Sequence, residues 1–216
     1  MFEWYHQARK DQFEDLEGMN TLISEEEGTT MADWYEHDAE LRARTDYDRT
    51  PLFATDPREK YLDKKWDMRF LRMARDSFMT WSKDPSTKIG AVAVDPSTRA
   101  VLAGGYNGFP RKILDLAERL EDRGQKYNHM IHAEMNVICN AALTGVSLRD
   151  SVLYVYGLPI CVACCPVVIQ VGFSHVVECY PADLSGRWSE EGEVSLRMFR
   201  EAGIGRRYYD PEEIDE

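Results

Sequence analysis

The chain has 216 residues, 44% of them hydrophobic, with 38 acidic and 26 basic side chains and a formal net charge of −12. This length fits one domain with an extension, and the apolar share fills one core but not two large ones. The composition excludes a collagen-like or wholly disordered chain, and the charge argues against a general nucleic-acid binder, which needs a basic face.

The charge is unevenly spread. Residues 1–60 hold 16 acidic and 7 basic side chains, residues 61–209 hold 17 and 19, and residues 210–216 hold 5 and none. The chain therefore divides into an acidic N-terminal extension (1–60), a nearly neutral domain (61–209) and an acidic tail (210–216). The start, Met1 to His6, has no basic stretch followed by an apolar run and does not read as a signal peptide. Met1-Phe2-Glu3-Trp4-Tyr5 and Met31-Ala32-Asp33-Trp34-Tyr35 are weakly alike, too little for a repeat architecture. The extension reads as a loosely ordered acidic arm, with Trp4, Tyr5, Trp34 and Tyr35 as anchors for a partner surface in the alternative reading.

Order is expected from Tyr61. Trp66, Phe70, Met73, Ala74, Phe78 and Trp81 recur at helical spacing, so 62–82 is predicted as one amphipathic helix with this stripe in the core. Strands at 89–94 and 100–105 flank the turn Asp95-Pro96-Ser97-Thr98 and form a hairpin. Residues 108–128 are a long polar connection with a short helix at 113–120, and a connection of that length in a compact domain is usually functional. A helix at 132–143, ended by Gly145, precedes a strand at 152–156, a helix from about 162 and a strand at 175–179. A loop at 184–188, a helix at 190–202 and a strand at 204–209 complete the order. Residues 151–177 carry no Asp, Glu, Lys or Arg, a run long enough to span a bilayer. Gly157, Pro159, Pro166 and Gly172 divide it, so it reads as buried strand–helix–strand instead. The expected fold is a three-layer α/β/α domain with a mixed five-stranded sheet.

The five cysteines, Cys139, Cys161, Cys164, Cys165 and Cys179, are a poor disulfide framework and point to a reduced, cytoplasmic protein with metal or catalytic use of thiols. His132-Ala133-Glu134 and Cys161-Val162-Ala163-Cys164, preceded by Pro159, form the pattern that carries this chemistry. Two thiolates and one imidazole are three ligands for a tetrahedral zinc ion, which leaves its fourth position for water. Glu134, two residues from His132, is placed beside the ion and free to act as base. The alternative is a closed structural zinc site with His129, Cys165 or Cys139 as fourth ligand, in which Glu134 has no role. Cys139, Cys165 and Cys179 are otherwise expected as buried small residues.

These residues, with 82–92, Gly105-Tyr106-Asn107-Gly108-Phe109-Pro110 and Ile169-Gln170-Val171-Gly172, resemble the deoxycytidylate deaminase branch of the cytidine deaminase-like superfamily over roughly 62–205. The resemblance implies a cytidine deaminase-like fold and a zinc-dependent conversion of dCMP to dUMP that feeds thymidylate synthesis. It implies zinc on His132, Cys161 and Cys164, Glu134 as proton shuttle, and a substrate contact from Asn107. It further implies that Gly105, Tyr106, Asn107 and Gly108 contact a dCTP or dTTP effector with Mg²⁺ at a subunit interface of a homo-oligomer, typically a hexamer. Lys88, Arg111, Lys112, Arg119, Arg123 and Lys126 are candidates for phosphate. Two departures stand out. Ile160 separates Pro159 from Cys161 where relatives place proline directly before the cysteine, and Asp84-Pro85-Ser86-Thr87 lacks the cysteine of a second, structural zinc. The rival readings are a deaminase of a modified or different nucleotide or base, and a catalytically silent nucleotide-binding regulator. The sequence shows no aromatic-interleaved basic run for long nucleic acid, and no membrane partner is expected.

Overall fold

The computed structural model describes residues 62–215, which lie within one unit, Thr55–Glu216. The acidic arm at 1–60, with Trp4, Tyr5, Trp34 and Tyr35, lies outside the described residues.

The elements are α1 (Lys64–Met73), β1 (Gly90–Val94), β2 (Val101–Tyr106), α2 (Ala117–Glu121), α3 (Arg123–His129) and α4 (Ala133–Thr144). They continue with β3 (Val152–Tyr156), α5 (Cys165–Val171), β4 (His175–Cys179), α6 (Arg187–Glu201), β5 (Gly205–Tyr209) and α7 (Pro211–Asp215). The sheet order is β2-β1-β3-β4-β5. β1 is antiparallel to β2 and β3, and β3, β4 and β5 are parallel, so the mixed five-stranded sheet is as expected. The uncharged run splits into β3, α5 and β4, and no helix among the described residues is long and apolar enough to cross a membrane.

Side-chain alternation sorts the strands into two cores. Ala91, Ala93, Leu153, Val155 and Val176 pack with Ala133, Val137 and Ala141 of α4, Val168 of α5 and Phe199 of α6. Val92, Val94, Val152, Tyr154 and Val177 pack on the other face with Met68, Phe70 and Leu71 of α1 and Ile214 of α7. Helices cover both faces, which gives the three layers.

Four elements differ from expectation. The helix at 62–82 is α-helical only to Met73. A π turn, Ala74–Phe78, and a 3₁₀ turn, Met79–Trp81, follow. The wider turn lies where the backbone presses on β1: a Cβ at Gly90 would lie 2.0 Å from the Ala74 carbonyl oxygen. It also rotates the stripe. Phe78 covers Gly104, while Trp81 is left 58% exposed, edge-on to Tyr106 at 6.0 Å, rather than in the core. The connection after β2 contains two short helices, at 117–121 and 123–129, rather than one at 113–120. Asp122 divides them and caps the second by accepting from Gln125 N. Helix α6 starts at Arg187, so Arg187 and Trp188 are helical rather than loop. The acidic tail includes a docked helix. Ile214 is fully buried, its carbonyl accepts from Arg72 Nε at 2.8 Å, and Asp215 pairs with Arg75 at 2.6 Å.

One buried carboxylate ties the last strand to the first helix. Asp67, with no exposed surface, accepts from Tyr209 at 2.8 Å, Arg207 at 3.0 Å and Tyr154 at 3.1 Å. All its donors lie on the α1 face of the sheet.

Truncating Ile214 tests the docking of the tail. Ile214→Ala should cost about 2–4 kcal/mol in urea unfolding, as for other buried large-to-small changes. A loss below about 0.5 kcal/mol, the range of a surface change, would show that α7 does not contribute to the core.

Candidate active site

Three chain segments converge on one side of the sheet. α4 begins at the residue after His132, whose backbone is extended (φ −71°, ψ 158°) as the N-cap position requires. Its side chain does not cap the helix but points to the cysteines, with Nδ1 3.3 Å from Cys161 Sγ and 3.4 Å from Cys164 Sγ. α4 comes this close because β2 carries Gly105. A Cβ there would lie 2.6 Å from Val137 N and 2.7 Å from the Ala133 carbonyl oxygen. Asn136 and Asn140 then donate to the Tyr106 and Gly104 carbonyls, both at 2.7 Å, and fasten the helix to the outermost strand.

The cysteines sit in a turn rather than in the first helical turn that the spacing suggests. The Cys161 carbonyl accepts from Cys164 N at 3.1 Å and from Cys165 N at 2.9 Å, and α5 starts at Cys165. This geometry aims both sulfurs at His132 and sends Cys165 elsewhere, toward the Ser195 carbonyl at 3.6 Å.

The ligand atoms of His132, Cys161 and Cys164 all lie within 4.8 Å of one another, and among the described residues this is the cluster of such side chains that could hold a metal ion. Neither His129 nor Cys165 nor Cys139 joins it as a fourth ligand. His129 Nδ1 is 2.7 Å from the Gln125 carbonyl oxygen instead. Cys165 and Cys179 are fully buried, as expected, while Cys139 is half-buried.

The electrostatics show that the donors suit a cation. The Cys164 thiol bonds to Cys161, which lowers Cys161 to about 4 and raises Cys164. His132, bonded to Cys161, is raised to about 9. Glu134 is 4% exposed, and burial pushes it up to about 7. Two sulfurs and one imidazole brought this close form a soft donor set that fits zinc.

A cleft opens onto this cluster, lined by His132, Glu134 and Cys161. Ile89, Asn107, Met130 and Leu158 form walls, and Asp84, Lys126, Tyr127 and Trp188 also line it. Asn107 is 5% exposed and holds the segment before β1 in place. Its Oδ1 accepts from Ile89 N and its Nδ2 donates to the Thr87 carbonyl, both at 2.8 Å. Lys126 Nζ reaches Asp84 at 3.0 Å and Ser86 at 2.6 Å. Burial disfavours the Asp84 charge, but the Ser86 and Thr87 N–H groups and Lys126 outweigh it and hold its pKa below the usual range.

Of the six basic candidates, Lys126 lines this cleft, and an adjoining hollow adds Arg123 beside Lys126, Tyr127 and Trp188. Lys88 is exposed and lines neither. Arg111 bonds to Asn140, and Arg119 to the Leu114 carbonyl at 3.5 Å. Within 105–108, Gly105 faces α4, Gly108 exchanges backbone bonds with Ile131 at 2.8 and 3.0 Å, and Tyr106 and Gly108 are half-buried. Asp84, Leu158 and Trp188 were not singled out by sequence. Asp84 lies within the recognised 82–92 segment and Leu158 beside Pro159, but Trp188 lies in a region that reads as loop.

Three comparisons bear on the fold and the site. Residues 64–179 match the family model described as the cytidine and deoxycytidylate deaminase zinc-binding region. A protein of Aliivibrio fischeri described as an uncharacterized deaminase is 37% identical over 65% of this chain and 90% of its own length. The deoxycytidylate deaminase of Mus musculus is 31% identical over 71% of this chain and 84% of its own. The apo crystal structure of the dCMP deaminase from cyanophage S-TIM5 superposes with a TM-score of 0.53 at 18% identity, over 68% of this chain and all of that one, which shows the shared fold.

Burial of Glu134 has a measurable cost in protein stripped of metal. The folded state holds the Glu134 proton up to about pH 7, whereas the unfolded chain releases it near 4.5, so stability falls as pH rises between those values. Metal-free Glu134→Gln should therefore exceed the metal-free parent by about 2–3 kcal/mol at pH 7.5, with the gap closing near pH 4.5. Equal urea midpoints at pH 7.5 would contradict the burial argument.

Proposed function

The chain belongs to the cytidine and deoxycytidylate deaminase family, and on that premise we propose that it converts dCMP and water to dUMP and ammonia in a zinc-dependent reaction. The observation that carries the reading is the juxtaposition of His132, Cys161 and Cys164 with buried Glu134 at one cleft.

In this reading His132 Nδ1 and the sulfurs of Cys161 and Cys164 hold the ion. A zinc ion held there would supply a Lewis acid, which lowers the pKa of water at such a site to about 7. In this reading Glu134 accepts one proton of the attacking water and delivers it to ring N3 as C4 is attacked, then takes the remaining proton from the new C4 hydroxyl and passes it to the amine as the C4–N bond breaks and the carbonyl forms. The exchange suits a carboxyl whose burial raises it into the neutral range, and a nearby dication would draw it partly back. Ile89, Leu158 and Met130 exclude water around the ring. The 5′-phosphate is assigned to the rim, against Lys126 and Arg123, in place of exposed Lys88. Asn107 serves mainly by fixing Thr87 and Ile89 behind the ring.

The supply of dUMP for thymidylate synthesis follows from this reaction. Regulation by dCTP or dTTP with Mg²⁺, and the homo-oligomer that would bind them, rest on the family resemblance. Turnover of dCMP should then rise with added dCTP and fall with added dTTP and Mg²⁺.

Purified protein with zinc should deplete the cytosine absorbance of dCMP. No turnover, with and without dCTP and Mg²⁺, would sink the reading, and turnover of a different nucleotide or an oligonucleotide would replace the substrate. Glu134→Ala should lower kcat by roughly 10²–10⁴-fold or more while zinc content stays at that of the parent. Arg123→Gln should raise KM for dCMP roughly 10-fold or more, the loss of one charge-assisted phosphate contact, and leave turnover of deoxycytidine unchanged, whereas Lys126→Gln, which also unpairs buried Asp84, should affect dCMP more than deoxycytidine. An equal effect on both substrates would remove these residues from phosphate recognition.

A further inference from the structure

The spacer residue Ile160 and a buried acid on β4 explain each other. Ile160 is fully buried, and its N–H donates to Glu178 Oε1 at 2.8 Å. Glu178 is 2% exposed, and its other oxygen pairs with Arg206 Nε of β5 at 2.5 Å. Arg206 also donates to the Tyr180 hydroxyl, and Tyr208 donates its own hydroxyl to the Tyr180 carbonyl at 3.0 Å. Register places Val176 opposite Arg206 and Glu178 opposite Tyr208, so all four share the face on which Val176 packs with the cysteine turn. The chain of contacts runs from Arg206 through Glu178 to the peptide N–H adjacent to Cys161.

A proline directly before the cysteine would fix φ through its ring and would have no N–H to give. Here the N–H exists because residue 160 is isoleucine, and Glu178 accepts it. Burying a carboxylate and a guanidinium is costly and often no more stabilising than an apolar pair. An acceptor aimed at one backbone N–H gives the pair a use beyond stability.

We propose that Glu178, held by Arg206, is a positioning residue that fixes the Pro159–Cys161 turn and presets Cys161 for the metal, replacing the ring constraint of proline. This rests on the metal-site reading above. Glu178 touches neither substrate nor ion in this role. It acts through the Ile160 peptide.

Two full-length double variants isolate the acceptor. Glu178→Gln/Arg206→Met removes both charges but keeps an oxygen for Ile160 N–H, whereas Glu178→Leu/Arg206→Met removes the oxygen too. Zinc affinity is read by competition with a chromophoric chelator, and metal-free unfolding by urea. The Gln variant should bind zinc within about threefold of the parent, and the Leu variant roughly 10–100-fold more weakly, the range for lost support of a metal ligand. Equal affinity in the two variants overturns the proposal, as does a deficit matched by an equal loss in both. A parent that takes up no zinc overturns the metal reading and this inference with it, whereas a zinc-binding parent with equal variants overturns this inference alone. Amide exchange in metal-free parent protein keeps the test independent of how the variants fold. Ile160 N–H should be protected, and exchange at the rate of a solvent-exposed amide overturns the proposal.

Discussion

The site depends on holding two thiols, an imidazole and a carboxyl together in a buried corner before any cation joins them. Cys161, Cys164 and Glu134 are all nearly buried, and the metal-free cluster copes by sharing protons: Cys164 keeps its own, His132 gains one, and Glu134 tends to gain one. The protons on Cys164 and His132 are the ones that a metal ion would displace on binding. The rest of the domain must be rigid enough to resist the relaxation that would relieve this crowding.

That rigidity comes from how closely helices sit on the sheet. Gly105 lets α4 lie against β2 at backbone contact, Gly90 lets the turn after α1 press on β1, and Asn136 and Asn140 satisfy carbonyls of the outermost strand. The asparagines also occupy backbone groups that an edge strand would otherwise offer to another chain. His132 therefore inherits its position from a glycine on a strand and two amides on its own helix.

Much of this was legible in the sequence, for physical reasons. Strands rich in Val, Ala and Tyr between turn residues announce the sheet, and the His132, Glu134, Cys161 and Cys164 spacing announces the ligand set. What stayed hidden depends on tertiary contact. The π turn after Met73 lies where β1 approaches Ala74, so helical periodicity alone extends α1 too far and buries Trp81 wrongly. Glycine at 105 suits a phosphate loop equally well by composition, and only the position of α4 shows its packing role. Lys126 was one of six similar cations until the short helices α2 and α3 brought it to Asp84.

Glu178 carried a signal of another kind. It is the first charged residue after the uncharged stretch from Ser151 to Val177, within a strand whose five residues are all buried. A lone acid in such a strand needs a partner, and Arg206 and Arg207 stand side by side two elements later. Alternation separates them. Arg207 goes to Asp67 on the α1 face, and Arg206 goes to Glu178 on the face of the cysteines. The two networks share a composition, each with a carboxylate, an arginine and tyrosines, but differ in what the carboxylate holds. Asp67 spends its acceptors on side chains and joins α1 to the sheet. Glu178 gives one to the backbone N–H of Ile160, the residue before the ligand Cys161. Two adjacent arginines thus serve the two faces of one strand, one closing the fold and the other reaching the chemistry.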